Sequence, residues 1–457
     1  MKKLFTLIGI LCGTCAILSA QDTETAAENA QETILSANKS KHSGVAIEKY
    51  RRSSLYSVLV THSGADYASE IRTAYFSIPI PDKFNDHNIS VRAFESSMKK
   101  MKKGGKKKED TNLSDVENFI AKNRIPATLV GKWFNRSVYD GSFDVSLIQE
   151  RGYYDASQEA IAAASLQERN LSILGDAGED LIGKTFMIVN DITFVDKGKN
   201  SQTAAAVVQG LGFLAAIALG DSSISKLGDT AAAAVNEIDG FQVNITTYLY
   251  RLVWNNDVSG EFYSQYWINP GSPDEGRRIA FESTDLFKME YIGQTTTSAA
   301  NLSSKSFSKF TKEQQMLKVC ARAVDKSIVQ LQRSYEVFRV NTPIWKINDD
   351  GTVEVQIGLK EGVNSKSQYE VLMPKETAEG KLVYNRVAVL KPVAGKIWDN
   401  RFGALDEKKA LEASGEKVKD TEGAEGNVYL ESTTFKAVSG ANQILPGCLV
   451  REMTIKK

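Results

Sequence analysis

Two runs rich in β-branched and aromatic residues constrain this chain most: TFMIVNDITFV from Thr185 to Val195 and FQVNITTYLYRLVW from Phe241 to Trp254. Such residues suit a pleated, half-buried surface, and the second run alternates apolar with polar side chains, the period of a strand. A third predicted strand, Asp285 to Gln294, follows the Gly/Pro-rich turn at Asn269 to Gly276. Shorter strand-like runs lie at Leu55 to Val60, Ile89 to Phe94 and Phe143 to Glu150.

Helical spacing separates these runs. Tyr67, Ile71, Ala74 and Tyr75 predict a helix over Asp66 to Ser77, broken by Ile78-Pro79-Ile80-Pro81. Further helices are expected at Leu113 to Asn123, around Leu129 to Phe134, at Ala156 to Asn170 and at Leu171 to Leu181. The strongest is Thr311 to Glu336, where Met316, Val319, Cys320, Ala323, Ser327 and Leu331 recur on one face. Strands mixed with helices over 49–336 predict an α/β (or α+β) mixed-sheet domain.

From Val340 the texture changes to short strands and turns. Asn348-Asp349-Asp350-Gly351 reads as a hairpin turn, and Val353 to Ile357, Tyr369 to Met373, Val383 to Pro392, Val428 to Phe435 and Leu449 to Ile455 read as strands. That spacing predicts a small all-β barrel-like domain over 340–457. Arg401 to Asn427 is a charged insertion with a helix near Leu405 to Ala413.

The opening of the chain reads as a cleavable secretory signal. Lys2 and Lys3 precede an apolar stretch from Leu4 to Leu18, and Ser19-Ala20 offer small residues at the expected cleavage point. The apolar stretch is shorter than the roughly 20 residues of a spanning helix. Gln21 to Lys41 lacks apolar periodicity, so 21–48 is expected to be a flexible leader. Removing 1–20 leaves 54 basic against 56 acidic residues, a balance that exerts no global pull on nucleic acid. Cys320 and Cys448 remain, either bridged in an oxidising compartment or as two buried thiols.

Two segments are candidate contact sites. Lys99, Lys100, Lys102, Lys103, Lys106, Lys107 and Lys108 form a basic loop within 98–110, suited to a mobile solvated turn or to an anionic surface such as lipid head groups. It carries no aromatic residue of the kind that stacks nucleic-acid bases. The run AAAVVQGLGFLAAIALG, Ala204 to Gly220, lies in an Ala/Gly-rich helical insertion over 203–235. There Gly210, Gly212, Ala215 and Ala216 are expected to make a close packing or oligomer face.

Several motifs match in letters alone. Gly178 to Thr185 satisfies the phosphate-loop pattern GxxxxGK[ST], but a phosphate loop runs from strand to helix, and here the expected order is helix then strand. Gly210-Leu211-Gly212 with Ala215 resembles a dinucleotide fingerprint inside a helical run, again the wrong setting. The three histidines, His42, His62 and His87, show no metal-ligand spacing. No HExxH or GxSxG occurs, and CxxC is confined to the signal. No cofactor, metal, nucleotide or nucleic acid is therefore expected.

Phe143 to Asp196, with its "xxIGK" turn before a strand holding a buried aspartate, resembles the exported α/β domains of the curli-secretion channel family and of the amino-terminal domain of the Tol translocation protein. QIGLKEGVNSKSQYEVL, ending at Leu372, and ILPGCLVRE, Ile444 to Glu452, are similar to turns of the small barrel of the flagellar outer-membrane ring accessory protein. In that pattern Gly362 occupies the glycine turn, and Ser367 stands where a second glycine would follow. The signal style and the many Asn, Lys and Ser residues also resemble exported envelope proteins of the Bacteroidota. The resemblance implies a non-enzymatic part of the cell envelope, structural or accessory, that associates with itself or with other envelope proteins in the periplasm or at the outer membrane. The alternatives are a surface-exposed ligand-binding protein or antigen presenting loops such as Tyr263 to Gly276, and a hydrolase with an unmarked carboxylate site.

Overall fold

The computed structural model describes residues 52–65, 67–97, 111–152, 181–196, 241–300, 310–376, 382–413, 426–445 and 447–453. The two longest β-rich runs become the centre of one mixed sheet: β1 (Ser54–Thr61), β2 (Asn85–Asp86), β3 (Ala93–Glu95), β4 (Thr185–Asp196), β5 (Phe241–Leu252) and β6 (Met289–Ala300). The order is β2-β1-β4-β5-β6, with β3 also paired to β1. β1 runs parallel to β2, β3 and β4, whereas β5 pairs antiparallel with both β4 and β6. A parallel pair needs a crossover connection, and α2 (Thr111–Lys122), α3 (Ile125–Trp133) and α4 (Ser146–Gly152) lie in the chain between β1 and β4; α1 (Ala68–Phe76) precedes them.

Strand alternation divides the core into two layers. Met187 and Val189 of β4, with Tyr248, Tyr250 and Leu252 of β5, pack against Val116, Phe119, Leu129, Val130 and Trp133 of α2 and α3. On the other face Phe186, Ile188 and Ile192 join Val243, Ile245 and Leu249 beneath α1 and α7 (Lys312–Ser334). Short α5 (Asn256–Glu261) and α6 (Glu275–Ser283) precede β6. Each fully buried aliphatic or aromatic side chain contributes about 1.5–3 kcal/mol. The start of α7 is set by a capping box in which Thr311 and Gln314 satisfy each other's backbone N–H. Val319, Ala323, Val324, Ile328 and Leu331 then bury its inner face.

A polar chain crosses this second layer. The Asn190 amide donates to Tyr75 Oη at 2.8 Å, and the Thr247 hydroxyl donates to Asn190 Oδ1 at 2.9 Å. Ser57 Oγ meets Tyr75 Oη, and Ser327 Oγ lies 3.0 Å from Thr247 Oγ1. These groups stitch β1, β4, β5, α1 and α7 together, and a buried polar group left without a partner costs about 1–3 kcal/mol.

Beyond α7 six strands pair in a closed cycle: β7 (Thr342–Ile347), β8 (Val353–Val355), β9 (Tyr369–Glu376), β10 (Leu382–Pro392), β13 (Thr433–Ser439) and β14 (Leu449–Glu452). β11 (Ile397–Trp398) and β12 (Gly426–Asn427) form a separate parallel pair, and α8 (Ala404–Ala413) occupies the charged insertion. The expected hairpin turn is present: Asn348 N–H donates to Thr352 O, and Gly351 takes the left-handed φ of +78°. Ion pairs join α7 to this region, Arg333 to Glu452 at 2.8 Å and Arg322 to Glu407 at 2.9 Å.

Four sequence expectations need correction. Phe143 to Glu150 is not a strand; the Asp144 carboxylate accepts the Ser146 N–H at 2.9 Å, a local turn that leads into helix α4. Of the Ile89 to Phe94 run only Ala93 and Phe94 pair, in a strand that continues to Glu95, because side chains satisfy the neighbouring backbone: Asn88 Oδ1 accepts Ser57 N–H, and Tyr56 Oη donates to Val91 O. The third strand begins at Met289 and continues to Ala300. The strand expected from Val428 begins at Thr433, after a turn in which Leu430 N–H reaches Asn427 O. Cys320 and Cys448 are both free and buried, so of the two readings the thiols hold.

Candidate functional site

The carboxyl ends of parallel strands are where open α/β sheets place ligands. At this end of β1, His62 Nε2 lies 2.6 Å from Asp191 Oδ1 on β4, with the side chains 21% and 10% exposed. The bond to Asp191 raises the His62 pKa against the opposing effect of burial, helped by the charges of Asp191, Glu95 and Asp115. Burial pushes the Glu95 carboxyl up, but the Ser63 N–H and the Thr61 hydroxyl bond it and hold it below its ordinary value. The imidazole is thus biased toward its charged form. Among the described residues Asp191 is the hydrogen-bond partner of His62, and no hydroxyl or thiol nucleophile is bonded to the ring. Nor, among them, does any group of three His, Cys, Asp or Glu residues have metal-binding geometry.

The other histidine of the fold is structural. His87 stacks on Trp133 at 4.9 Å, bonds Leu129 O at 3.1 Å and accepts from Arg151 Nη1 at 3.0 Å. Burial, with the Arg151 charge, pushes its pKa down to about 3, so it stays neutral and can accept that bond.

A second surface is built on α3. Its inner face buries Ile125, Leu129, Val130 and Trp133, and the indole N–H donates to Thr185 Oγ1 at 2.8 Å, anchoring the helix on β4. Thr128 and Lys132 lie one turn apart on α3, while Arg124 caps its amino-terminal end with a left-handed φ of +49° and Arg136 stands just past its last turn. They line a groove of about 650 Å³, with Ile89, Ala127 and Phe281 as apolar lining and Glu282 as its carboxylate. Arg124 Nη2 donates to Phe281 O and Thr284 O, both at 3.0 Å, and Lys132 Nζ donates to Asn88 O at 2.5 Å. Neither cation is paired with a carboxylate within ion-pair distance among the described residues. Arg136 bonds Glu282 at 3.0 Å and lies 4.9 Å over the Phe281 ring, while its buried Nε–H has no hydrogen-bond partner among the described residues.

Immediately after Arg136 the chain makes a tight loop. Ser137 N–H donates to Ser142 O at 2.8 Å, and Gly141 N–H returns to Ser137 O at 3.1 Å. Gly141 has a φ of +73°, the left-handed conformation that favours glycine, and a Cβ there would stand in tight contact, 3.0 Å, with the Arg278 side chain. Asp140 Oδ1 accepts the Ser142 N–H and hydroxyl at 3.1 and 2.8 Å, and hydrogen bonds from Ser137 and Ser142 hold its carboxyl down at about 2. This bonded loop presents Val138 and Tyr139 to water at 88% and 94% exposure. Beneath it Phe134, Phe143, Phe262, Trp267 and Phe281 form an aromatic cluster, including Phe134 to Phe262 at 4.7 Å and Phe143 to Trp267 at 5.6 Å.

The phosphate-loop letters end in a different geometry. Ile182–Lys184 is a single 3-10 turn that enters β4, with Gly183 O accepting Arg251 Nε at 2.6 Å and the Thr185 hydroxyl held by Trp133. The basic loop Lys99 to Lys108 and the Ala/Gly face at Gly210, Gly212, Ala215 and Ala216 lie outside the described residues. Sequence reasoning missed the His62–Asp191 pair and the cationic groove. The spacing of Arg124, Lys132 and Arg136, eight and then four positions, was available in the letters, but it is indistinguishable there from an ordinary solvated helix face. No protein-family model matches the chain, and no curated protein matches it.

Proposed function

We propose that this chain is a non-enzymatic exported protein of the cell envelope, a structural or accessory component that works through protein–protein contacts in the periplasm or at the outer membrane. The observation that carries the reading is the loop at Val138 and Tyr139, which is braced by hydrogen bonds yet exposes both side chains almost completely. Such bracing contributes nothing to hiding them, whereas an aromatic tip on a rigid stem is the usual anchor of a protein interface. Export rests on the signal pattern from Lys2 to Ala20. The reading includes a carboxy-terminal small barrel domain in its own right, supported by the separate hydrophobic cluster of Val353, Val355, Val371, Leu390 and Phe435.

The test is cross-linking in cells followed by size-exclusion chromatography, comparing the natural chain with a Val138→Ser, Tyr139→Ser double variant. The natural chain is expected in an assembly larger than a monomer, and the variant, equally stable to heat, is expected to leave it. A monomer without cross-linked neighbours, or an assembly indifferent to both substitutions, overturns the proposal.

A further inference from the structure

The geometry points to the groove along α3 as the docking site for an extended acidic segment of a partner protein. The inference rests on the contact role proposed above and specifies the partner's chemistry.

Charge is the first argument. The groove is lined by Arg124, Lys132 and Arg136 against Glu282 alone, and Glu282 is shared with Arg278 at 3.4 Å. Asp86 acts on Lys132 from a distance but forms no ion pair with it. Arg124 and Lys132 are held in place by backbone carbonyls, so their positions are set while, among the described residues, no carboxylate lies within ion-pair distance of either. Fixed cations aimed into a cleft draw anions and lose little side-chain freedom when one binds.

Spacing is the second argument. Residues four apart on a helix are separated by about 6 Å along its axis. In an extended segment the side chains of alternate residues point the same way about 6.7 Å apart. Within α3 that step separates exposed Thr128 from Lys132, and Arg124 and Arg136 flank the two ends of the helix, so an extended segment lying along the groove passes the three cations in turn. Ile89, Ala127 and Phe281 supply apolar contact along the groove. At about 650 Å³ the groove falls within the volume range of sites that hold a drug-sized ligand, room for a few residues of such a segment at a time.

The probe is a fluorescently labelled peptide of about twelve residues alternating glutamate and alanine, with a glutamine-for-glutamate counterpart, titrated against the full chain by anisotropy. Expected is binding of the acidic peptide alone, weakened about tenfold or more between low and high salt. Thr128→Glu places a repelling carboxylate on an exposed helix position and is expected to weaken binding at least about tenfold, while Thr128→Gln stays within about twofold. Equal binding of both peptides, no binding of either, or a Thr128→Glu protein that binds like Thr128→Gln overturns the inference. The Val138→Ser, Tyr139→Ser protein should still bind the peptide. Peptide binding without an assembly in cells supports the groove and sinks the assembly role. A loop-dependent assembly without peptide binding sinks the groove alone.

Discussion

Asp325 of α7 faces the turn at Leu359–Glu361, with Lys360 Nζ 4.0 Å away and only 11% of its side chain exposed. Burial raises its pKa to about 7; Glu361 and Asp82 push the same way, and Lys360 and Arg322 oppose them. In the unfolded chain the group ionises near 3.8. Below that value both states carry the proton and the carboxyl costs nothing extra. As pH rises toward 7 the unfolded state releases its proton while the folded state keeps it, so stability falls across this window and levels off above it. The interval between 3.8 and about 7, at about 1.4 kcal/mol per pH unit, sets a ceiling of about 4 kcal/mol. Asp325→Asn keeps the shape and removes the titration. Urea unfolding of both proteins at intervals from pH 4 to pH 8 isolates the effect, because every other ionisable group is common to the pair. The variant's advantage should grow by a few kcal/mol between pH 4 and pH 7. A difference that is flat across that range, or that shrinks, refutes the argument.

Gly293 of β6 has a φ of +152°, and a Cβ there would collide with the Tyr335 ring and hydroxyl, so Gly293→Ala should cost about 2 kcal/mol or more in thermal or urea unfolding. Gly64→Ala, at a φ of +84° with nothing near it, is the control for conformation alone and should cost about 1 kcal/mol; equal losses would show that the Tyr335 contact is unimportant. His62, whose charged form is favoured by the bond to Asp191, should titrate above its ordinary 6.5 by NMR, and the stability it adds should be full below 6.5 and lost as pH rises through the folded value. His62→Gln should abolish that dependence, and a resonance titrating at or below 6.5 would refute the bond's role.

What the sequence determined by itself is whatever depends on neighbours a few residues apart. Thr185 to Val195 carries β-branched and aromatic residues and Phe241 to Leu252 a strand period, Thr311 and Gln314 cap a helix whose apolar face repeats, and Asn348 to Gly351 turns a hairpin. Those signals survive because propensity, capping and turn chemistry act within one element. The same locality explains the misreading of Phe143 to Glu150, where a run tolerant of β structure became a helix once Asp144 bonded Ser146 and Phe143 found an aromatic cluster. The tertiary structure alone decided that β1 lies parallel to β4, which brings Asp191 to His62 across 129 positions of sequence. It also decided that Arg124, Lys132 and Arg136 face Phe281 and Glu282 across a groove rather than open solvent. A contiguous lysine run such as Lys99 to Lys108 declares itself in the letters. A cationic groove does not, because its second wall comes from α6, brought alongside α3 by packing on the shared sheet rather than by adjacency in the chain.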